Sequence, residues 1–391
     1  MAAVLVAAGC LLPPVVARAA PAPVAFAAFV SSLRPEAERA GIPRATFDAA
    51  FTSLTPDPSL APLIRAQPEF SKPIGAYLQA QVTPARIAAG RAALARWHAA
   101  LDGIAARSGV PPAIVVAVWG LETNYGAAAG GKDVIRSLAT LGALGWRPEL
   151  MRSELVGALT LIKDGDATRA QLRGSWAGAM GQPQFMPSSF SKYAVDGDGD
   201  GRRDIWSDVP DALASIANFL KQQGWQAGQP WGCEVRLPPG FDVGQSHGSF
   251  ADWTARGLAR PDGGALPAEG DATLFFPAGA VGPAFLVTDN TPVIKTYNFS
   301  DAYVLSVATL ADRIEGGPVI AASWPNTPGL GKSERIALQA RLAAQGYPVD
   351  NREGRISLTL RDSIRAAQRK AGLVPDGNPD AALLRALGGG G

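Results

Sequence analysis

Glu122 is the residue of this chain best placed for acid–base chemistry. It follows the apolar run Ile114 to Leu121, which predicts a buried helix. A carboxylate at the end of such a run is costly to keep ionised, so its pKa should rise. A carboxyl that stays protonated near neutral pH can donate the proton that glycosidic cleavage requires. The alternative is a buried glutamate satisfied by backbone or arginine partners, and the run alone does not choose between the two.

Other common chemistries have little support in the sequence. The two histidines, His98 and His247, stand in unrelated contexts, so neither a Ser-His-Asp triad nor a histidine-rich metal site is expected. The glycines do not form the spacing of a phosphate-binding loop. The net charge is only +2, and no basic run is interleaved with aromatic residues, which argues against nucleic acid as a partner. The chemistry is therefore expected to rest on carboxylates and to need no cofactor.

Two blocks of sequence form a recognisable pattern, and the first of them contains this glutamate. In the first, WGLETNYG (residues 119–126), the residues after Glu122 should break the helix and expose its end to a cleft. The second is GSWAGAMGQPQFMPSS (residues 174–189), which predicts a sharp bend with closely packed backbone. Together they resemble the membrane-bound lytic murein transglycosylase B family, glycoside hydrolase family 103. The resemblance runs from about Phe26 to Ile314 and implies a lysozyme-like catalytic domain that cuts peptidoglycan.

The resemblance implies a mechanism with one catalytic residue. In that family one glutamate protonates the glycosidic oxygen between N-acetylmuramic acid and N-acetylglucosamine, and its carboxylate then takes the proton of the muramic 6-hydroxyl. That hydroxyl closes onto C1 and leaves a 1,6-anhydro end. Such intramolecular attack benefits from a high effective molarity and needs one carboxyl where most glycosidases need two. Here Glu122 would take this role. A lysozyme-type hydrolase that uses water and a non-catalytic wall-binding protein are the alternatives.

The resemblance also assigns the residues that would contact the glycan. Ser175 and Gln184 would hydrogen-bond the substrate, and Phe185 would line the cleft. Trp146 and Phe219 stand where the family pattern has an arginine and a tyrosine, so individual saccharide contacts are open. The complete set is Ser175, Gln184, Phe185, Tyr77, Arg147, Tyr297, Asn298 and Tyr303.

The loop DGDGDGRRD (residues 196–204) follows the spacing of an EF-hand, with oxygen ligands at the first, third, fifth and ninth positions and glycine at the sixth. Aspartates this close repel one another without a cation. The glutamate expected at the twelfth position is Ser207, and the resemblance implies Asp211 as the last ligand. A solvated acidic turn is the alternative to a structural calcium ion. The predicted ligands are Asp196, Asp198, Asp200, the carbonyl of Arg202, Asp204 and Asp211.

The end of the chain predicts a small module of three helices. The segments LQARL, TLRDSIRAAQR and LVPDG within residues 333–388 resemble the peptidoglycan-binding type 1 domain. A second weak site of this kind would raise the local concentration of a polymeric substrate. A module that only packs is the alternative.

The expected fold is mainly α, of the α+β class, with a small β-rich insertion in the catalytic domain. Expected boundaries are 24–320 for the catalytic domain, with the EF-hand-like loop at 196–211, 321–332 for a linker, and 333–388 for the module. Apolar spacing predicts helices over Arg91 to Arg107, Glu149 to Ile162, Asp211 to Gln223 with Asp211 as its cap, and Ala302 to Ile314. Short strands are predicted at 234–237, 273–276 and 285–287.

The first residues predict export. An apolar stretch ends in Ala17-Arg18-Ala19, an A-x-A cleavage pattern, so residues 1–20 are interpreted as a signal peptide and the periplasm as the destination. Cys10 loosely resembles a lipoprotein site, which would associate the protein with the outer membrane. Removal of the signal would leave Cys233 alone, without a disulfide, as a small and partly buried apolar residue. A monomer is expected.

Overall fold

The computed structural model describes residues 23–64 and 72–388, so the predicted signal peptide and Cys10 lie outside the described residues. About half of the described chain is helical. The helices that precede the β-rich insertion are α1 (Pro23–Ser32), α2 (Arg34–Arg39), α3 (Arg44–Phe51), α4 (Leu60–Leu63), α5 (Ile74–Gln81), α6 (Pro84–Arg96), α7 (His98–Ser108), α8 (Pro112–Thr123), α9 (Val134–Ala143), α10 (Pro148–Asp164), α11 (Pro187–Tyr193) and α12 (Val209–Gln222). The remaining helices are α13 (Phe250–Ala255), α14 (Asn290–Lys295), α15 (Asp301–Ile314), α16 (Lys332–Ala344), α17 (Leu358–Lys370) and α18 (Ala381–Ala386).

Within residues 23–64 and 72–388, six short strands form two antiparallel sheets. A two-stranded ribbon pairs β1 with β2, and a four-stranded sheet has the order β3-β6-β5-β4. The larger sheet with α13 is the predicted β-rich insertion, and it has a core of its own around Phe250, Trp253 and Leu286. The strands are β1 (Lys132–Asp133), β2 (Arg173–Gly174), β3 (Gly232–Val235), β4 (His247–Ser249), β5 (Asp271–Phe275) and β6 (Ala284–Val287).

Helix α8 occupies the centre of the large helical unit that precedes the C-terminal module. Gly109 ends α7 with a left-handed φ of 74°, and Pro112 begins α8 in the first turn, where a missing amide proton costs nothing. Residues 113–120 are all buried, as the apolar run predicted. The helix packs against α6, α7, α12 and α15. This packing brings its C-terminal end, which carries Glu122, next to the start of α15.

No single helix within the described ranges is long and apolar enough to cross a membrane. One bent pair, α7 with α8, meets the length and composition criterion only across a 110° bend. Burial of α8 inside the domain accounts for its apolar composition.

Two sequence-based predictions about helices are wrong. The helix expected over Arg91 to Arg107 divides at Trp97, whose φ of −104° and ψ of 14° end α6 and begin α7. Apolar spacing did not reveal the break because Leu94 and Leu101 pack against the same core from either side of it.

The second error concerns the start of α12. Its cap is Asp208, whose side chain accepts a hydrogen bond from the Asp211 amide at 3.0 Å. Asp211 therefore lies in the first turn, and its carboxylate is available to the EF-hand-like loop.

Cys233 lies in the core of the insertion and is 8% exposed. Burial raises the pKa of its thiol to about 11, so the thiolate is scarcely populated at neutral pH. The sulfur therefore acts as a small apolar group, as expected from the sequence.

The C-terminal helices α16, α17 and α18 enclose a third core, which confirms the predicted three-helix module. The segment that precedes it is attached to the β-rich insertion. The amides of Ala321 and Ala322 donate to the carboxylate of Glu234 at 2.7 and 2.8 Å. Trp324 lies against Phe285, with ring centroids 6.3 Å apart.

Candidate active site

Glu122 occupies the last turn of α8 and is partly exposed. Asn124 ends the helix with a φ of 49°, and Tyr125 continues in the left-handed region with a φ of 60°. This abrupt end confirms the break predicted from the sequence. Burial raises the pKa of the Glu122 carboxyl to about 7, against a smaller opposing effect of the hydrogen bond from Tyr303. A substantial fraction of the side chain is therefore protonated at neutral pH.

Tyr303 is the direct partner of Glu122. Its hydroxyl donates to Oε1 of Glu122 at 2.6 Å. The residue lies in the first turn of α15, which begins at the cap Ser300, and it is 4% exposed. Burial and the nearby Glu122 carboxylate raise the pKa of Tyr303 well above its usual range. The hydroxyl therefore stays protonated and acts as a fixed hydrogen-bond donor to the carboxylate.

Tyr297 forms a second layer beside this pair. Its ring stacks on Tyr303 with centroids 6.5 Å apart and planes 13° apart, and its hydroxyl donates to the carbonyl of Pro183 at 2.8 Å. Burial and then Glu122 raise its pKa well above normal. Tyr77 interacts electrostatically with Tyr303. The structure therefore groups the predicted residues Tyr77, Tyr297 and Tyr303 around Glu122.

The prediction that Phe185 lines the cleft is wrong. The ring is 2% exposed and packs against Tyr193, Phe219 and Tyr297, with centroids 5.9 to 6.3 Å away. The backbone of Phe185 pairs with that of Met180 in a tight turn, and this pairing directs the ring into the core. The buried ring of Phe185 packs against the ring of Tyr297. Phe219, 8% exposed, belongs to the same buried cluster.

Three residues that join the two sequence blocks were not assigned a function from the sequence. Nε1 of Trp119 donates to Oε1 of Gln182 at 2.9 Å, and Oγ1 of Thr123 donates to the Gln182 carbonyl at 3.0 Å. All three are buried. These bonds attach the 174–189 segment to the end of α8. The only signal for them in the sequence was their position inside the blocks already singled out.

Tyr125 braces the helix end from the opposite side. Its hydroxyl donates to the Arg86 carbonyl at 2.7 Å, and its ring meets that of Trp119 edge-on with centroids 5.6 Å apart. A Cβ atom at Gly120 would lie 2.6 Å from Cζ of this tyrosine, so only glycine fits there. The Trp-Gly-Leu-Glu order thus reflects close packing around the last turn of α8.

Ser175 and Gln184 are held by backbone contacts. Oγ of Ser175 accepts from the Ala179 amide at 3.1 Å. Nε2 of Gln184 donates to the carbonyls of Ala129 and Gly181 at 3.0 and 2.9 Å, and its backbone has a left-handed φ of 56°. Neither side chain hydrogen-bonds Glu122 within the described part of the chain. Their roles in binding remain predictions.

Arg147 and Asn298 also remain predictions. Arg147 is exposed, and its guanidinium lies over the ring of Trp146 at 5.1 Å. That ring lies next to Trp176, with centroids 5.7 Å apart. Asn298 is partly exposed and its side chain forms no hydrogen bond within the described residues. Trp146 therefore places an aromatic surface where the family pattern has a second cation.

The EF-hand-like loop brings three of its predicted ligands together. One carboxylate oxygen from each of Asp196, Asp198 and Asp211 lies within 4.8 Å of the others. Burial and two neighbouring aspartates raise the pKa of Asp211. A set of convergent carboxylates is what calcium prefers, so these residues fit the ion.

The carboxylates of Asp200 and Asp204 do not belong to this group. Oδ1 of Asp200 accepts from the Arg202 amide at 2.8 Å. The Asp204 carboxylate accepts from the hydroxyl of Ser207 and the amide of Trp206. Ser207, which stands in place of the expected glutamate, thus donates a hydrogen bond to an oxygen of Asp204 that would otherwise be free for a cation.

Comparison with known proteins matches most of the chain to two families. Residues 25–312 match the family described as Transglycosylase SLT domain, and residues 331–387 match the family described as Putative peptidoglycan binding domain. The chain is 34% identical over 265 residues to membrane-bound lytic murein transglycosylase B of Escherichia coli (strain K12). The matched region covers 65% of this chain and 71% of the relative.

Several solved structures are similar to this one, including the following two. SltB3 from Pseudomonas aeruginosa, in complex with NAG-anhNAM-pentapeptide, has a TM-score of 0.81 and 45% sequence identity over 93% of this chain and 99% of that chain. The Escherichia coli lytic transglycosylase Slt35, in complex with calcium, has a TM-score of 0.62 and 26% identity over 78% of this chain and 98% of that chain. The similarity confirms the predicted fold class.

Proposed function

The chain belongs to the transglycosylase SLT domain family, and we infer from this premise that it is a lytic transglycosylase of peptidoglycan with a lysozyme-like catalytic domain. The C-terminal match to a peptidoglycan-binding family gives the substrate a second point of contact on the same chain. The observation that supports this function best is a glutamate at a helix end whose pKa is raised to about 7.

We propose that Glu122 performs both proton transfers. Its protonated carboxyl donates to the glycosidic oxygen as the bond to C1 breaks. The resulting carboxylate, which accepts from Tyr303, then takes the proton of the muramic 6-hydroxyl as that oxygen bonds to C1. Among the described residues, no other Asp or Glu contributes to the shifted pKa of Glu122. A single carboxyl supports closure by the substrate's own hydroxyl over attack by an activated water.

The products should carry 1,6-anhydromuramic ends. Purified protein incubated with sacculi should release muropeptides lighter by one water than the products of hydrolysis, because the 6-hydroxyl replaces water as the nucleophile. Mass spectrometry after digestion in water enriched in heavy oxygen gives the measurement. A hydrolytic muramidase treated in parallel is the control and should place the label at C1. Label in reducing muramic ends made by this protein would contradict the proposal.

The finer assignments are part of the same proposal. We assign substrate contacts to Ser175, Gln184, Arg147, Asn298 and the tyrosines around Glu122, and we place the catalytic domain at residues 24–320, the linker at 321–332 and the wall-binding module at 333–388. The signal-peptide pattern of residues 1–20 and the cell-wall substrate support a periplasmic location, and we propose a monomer. Attachment through Cys10 is the alternative to a free form.

Calcium binding to the EF-hand-like loop is supported by the convergence of Asp196, Asp198 and Asp211. At about 100 times its Kd the ion should add about 2.7 kcal/mol to the free energy of unfolding, which is a rise of several degrees in Tm. Thermal unfolding of chelated protein with and without added calcium measures this rise.

The control for calcium separates the loop from general charge effects. Asp211→Asn should abolish the rise in Tm because it removes one of the three convergent carboxylates. Asp102→Asn, at an exposed position on α7, should keep it. An equal Tm for chelated and calcium-loaded parental protein would contradict an occupied site.

A further inference from the structure

The first turn of α15 is held by the C-terminal module. Arg361 of α17 is 2% exposed, and its Nη2 donates to Oδ2 of Asp301 at 2.7 Å. Its Nη1 donates to the carbonyl of Gly377 at 2.9 Å, and the guanidinium lies over the ring of Phe275 at 4.7 Å. The arginine of one domain is therefore fixed between both domains and pairs with the first residue of a catalytic-domain helix.

Asp301 is ionised and held from two sides. Lys295 donates to its other carboxylate oxygen and also to the carbonyl of Ile356 in the module. Burial alone would raise the pKa of Asp301, but the cations of Lys295 and Arg361 lower it to about 2. A third cation, Arg335, also acts on Asp301. A buried carboxylate with these partners is strongly destabilised when one partner is removed.

Asp301 lies in the same helical turn as Tyr303, the hydrogen-bond partner of Glu122. Asp301 and Tyr303 are two residues apart in the first turn of α15, so their side chains leave opposite sides of the helix. One side faces Arg361, and the other delivers the Tyr303 hydroxyl to Glu122 at 2.6 Å. A shift of this turn toward or away from the module would change the distance between the tyrosine and the glutamate.

We propose that Arg361 is a positioning residue for catalysis, which holds Tyr303 against Glu122 through its ion pair with Asp301. This inference rests on the proposed role of Glu122. It makes the peptidoglycan-binding module a structural part of the active site in addition to a tether. A tether raises the local concentration of substrate and so acts on KM, whereas a positioning residue acts on kcat at saturation.

The test compares two arginines of α17 in the full-length protein. Arg361→Met removes the ion pair with Asp301 and keeps much of the side-chain volume. The matched control is Arg365→Met, since Arg365 is also 2% exposed but donates to the Leu274 carbonyl and pairs with Asp362. Steady-state kinetics use a soluble, peptide-free oligosaccharide of alternating N-acetylglucosamine and N-acetylmuramic acid. We expect kcat to fall about tenfold or more in Arg361→Met and to stay within about twofold in Arg365→Met.

The pH profile of kcat distinguishes a positioning role from a loss of stability. A variant that is only less stable should keep the parental profile. Tyr303 lowers the pKa of Glu122 through its hydrogen bond. If the tyrosine is displaced in Arg361→Met, the alkaline limb of the profile, where kcat declines, should move to higher pH. The shift should match in direction that of Tyr303→Phe. Arg361→Lys, which retains a cation for Asp301, should keep more of kcat than Arg361→Met, and Arg361→Gln replaces Arg361→Met as the disruptive variant if that protein does not fold.

Each result supports or overturns the inference. An unchanged kcat and an unchanged alkaline limb in Arg361→Met, or in Arg361→Gln if Arg361→Met does not fold, would overturn it. Equal losses in Arg361→Met and Arg365→Met without a shifted limb would also overturn it, because docking alone would then explain both. Glu122→Gln with parental activity would instead refute the proposed function, so the two failures are distinguishable.

Discussion

Glu122→Gln should lower the release of soluble muropeptides from sacculi by about a thousandfold, the usual size of a general acid–base contribution. Glutamine has nearly the same shape, and its amide oxygen can still accept from Tyr303, but it has no proton to give to the glycosidic oxygen. The variant should pellet with sacculi as the parent does, because the peptidoglycan-binding module is unchanged. Digestion at the parental rate would show that Glu122 is not the acid.

The same substitution should also change the free energy of unfolding. This change tests the raised pKa of Glu122 independently of activity. The pKa of Glu122 rises from 4.5 to about 7 in the folded protein. The folded state therefore holds a proton that the unfolded state has lost, and parental stability falls as pH rises from about 4.5 to 7 and stays low above that. Glutamine carries no such penalty. The variant should gain up to about 3 kcal/mol over the parent at pH 8 and little at pH 4, as followed by denaturant unfolding.

Tyr303→Phe should lower kcat by about tenfold or more, since it removes the only hydrogen-bond donor to Glu122 that the described residues provide. Activity requires the protonated glutamate and should decline above about pH 7. The lost hydrogen bond had favoured the carboxylate, so the alkaline limb should move to higher pH in the variant. Rate measurements across pH with the soluble oligosaccharide test both expectations.

Tyr193→Phe is the matched control for this substitution. Tyr193 belongs to the same aromatic cluster, but its hydroxyl accepts from Gln223 at 2.7 Å and does not reach Glu122. Its pH profile should equal that of the parent. A parental profile for Tyr303→Phe, or a shift of equal size in both variants, would contradict a direct effect of Tyr303 on the acid.

The position and environment of Glu122, the proposed catalytic residue, could be predicted from sequence because the signal is local. An apolar helix, a carboxylate in its last turn and a residue that ends the helix lie within a dozen positions, and the structure has them as expected. The raised pKa follows from burial, which the apolar run already implied. The three-helix module and the β-rich insertion were likewise visible as local patterns of spacing and turns.

The partners of the glutamate could not be derived in this way. Tyr303 is 181 residues away along the chain, so only the family resemblance pointed to it. Phe185 was placed in the cleft because its segment is close to the substrate in the pattern, whereas the backbone turn directs its ring inward. Local propensity also misplaced the cap of α12, since Asp208 and Asp211 both suit that position and tertiary contacts with the loop decide between them.

The arginines at every fourth position of α17 restrict how this protein can have been assembled from parts. Arg361, Arg365 and Arg369 donate to the carbonyls of Phe276, Leu274 and Gly244 in the insertion. Another wall-binding module joined at the same linker would lack these donors, and three carbonyls would lose their partners. The two domains are therefore not interchangeable cassettes, and recombination at the linker should be tolerated only when both sides of the interface are exchanged together.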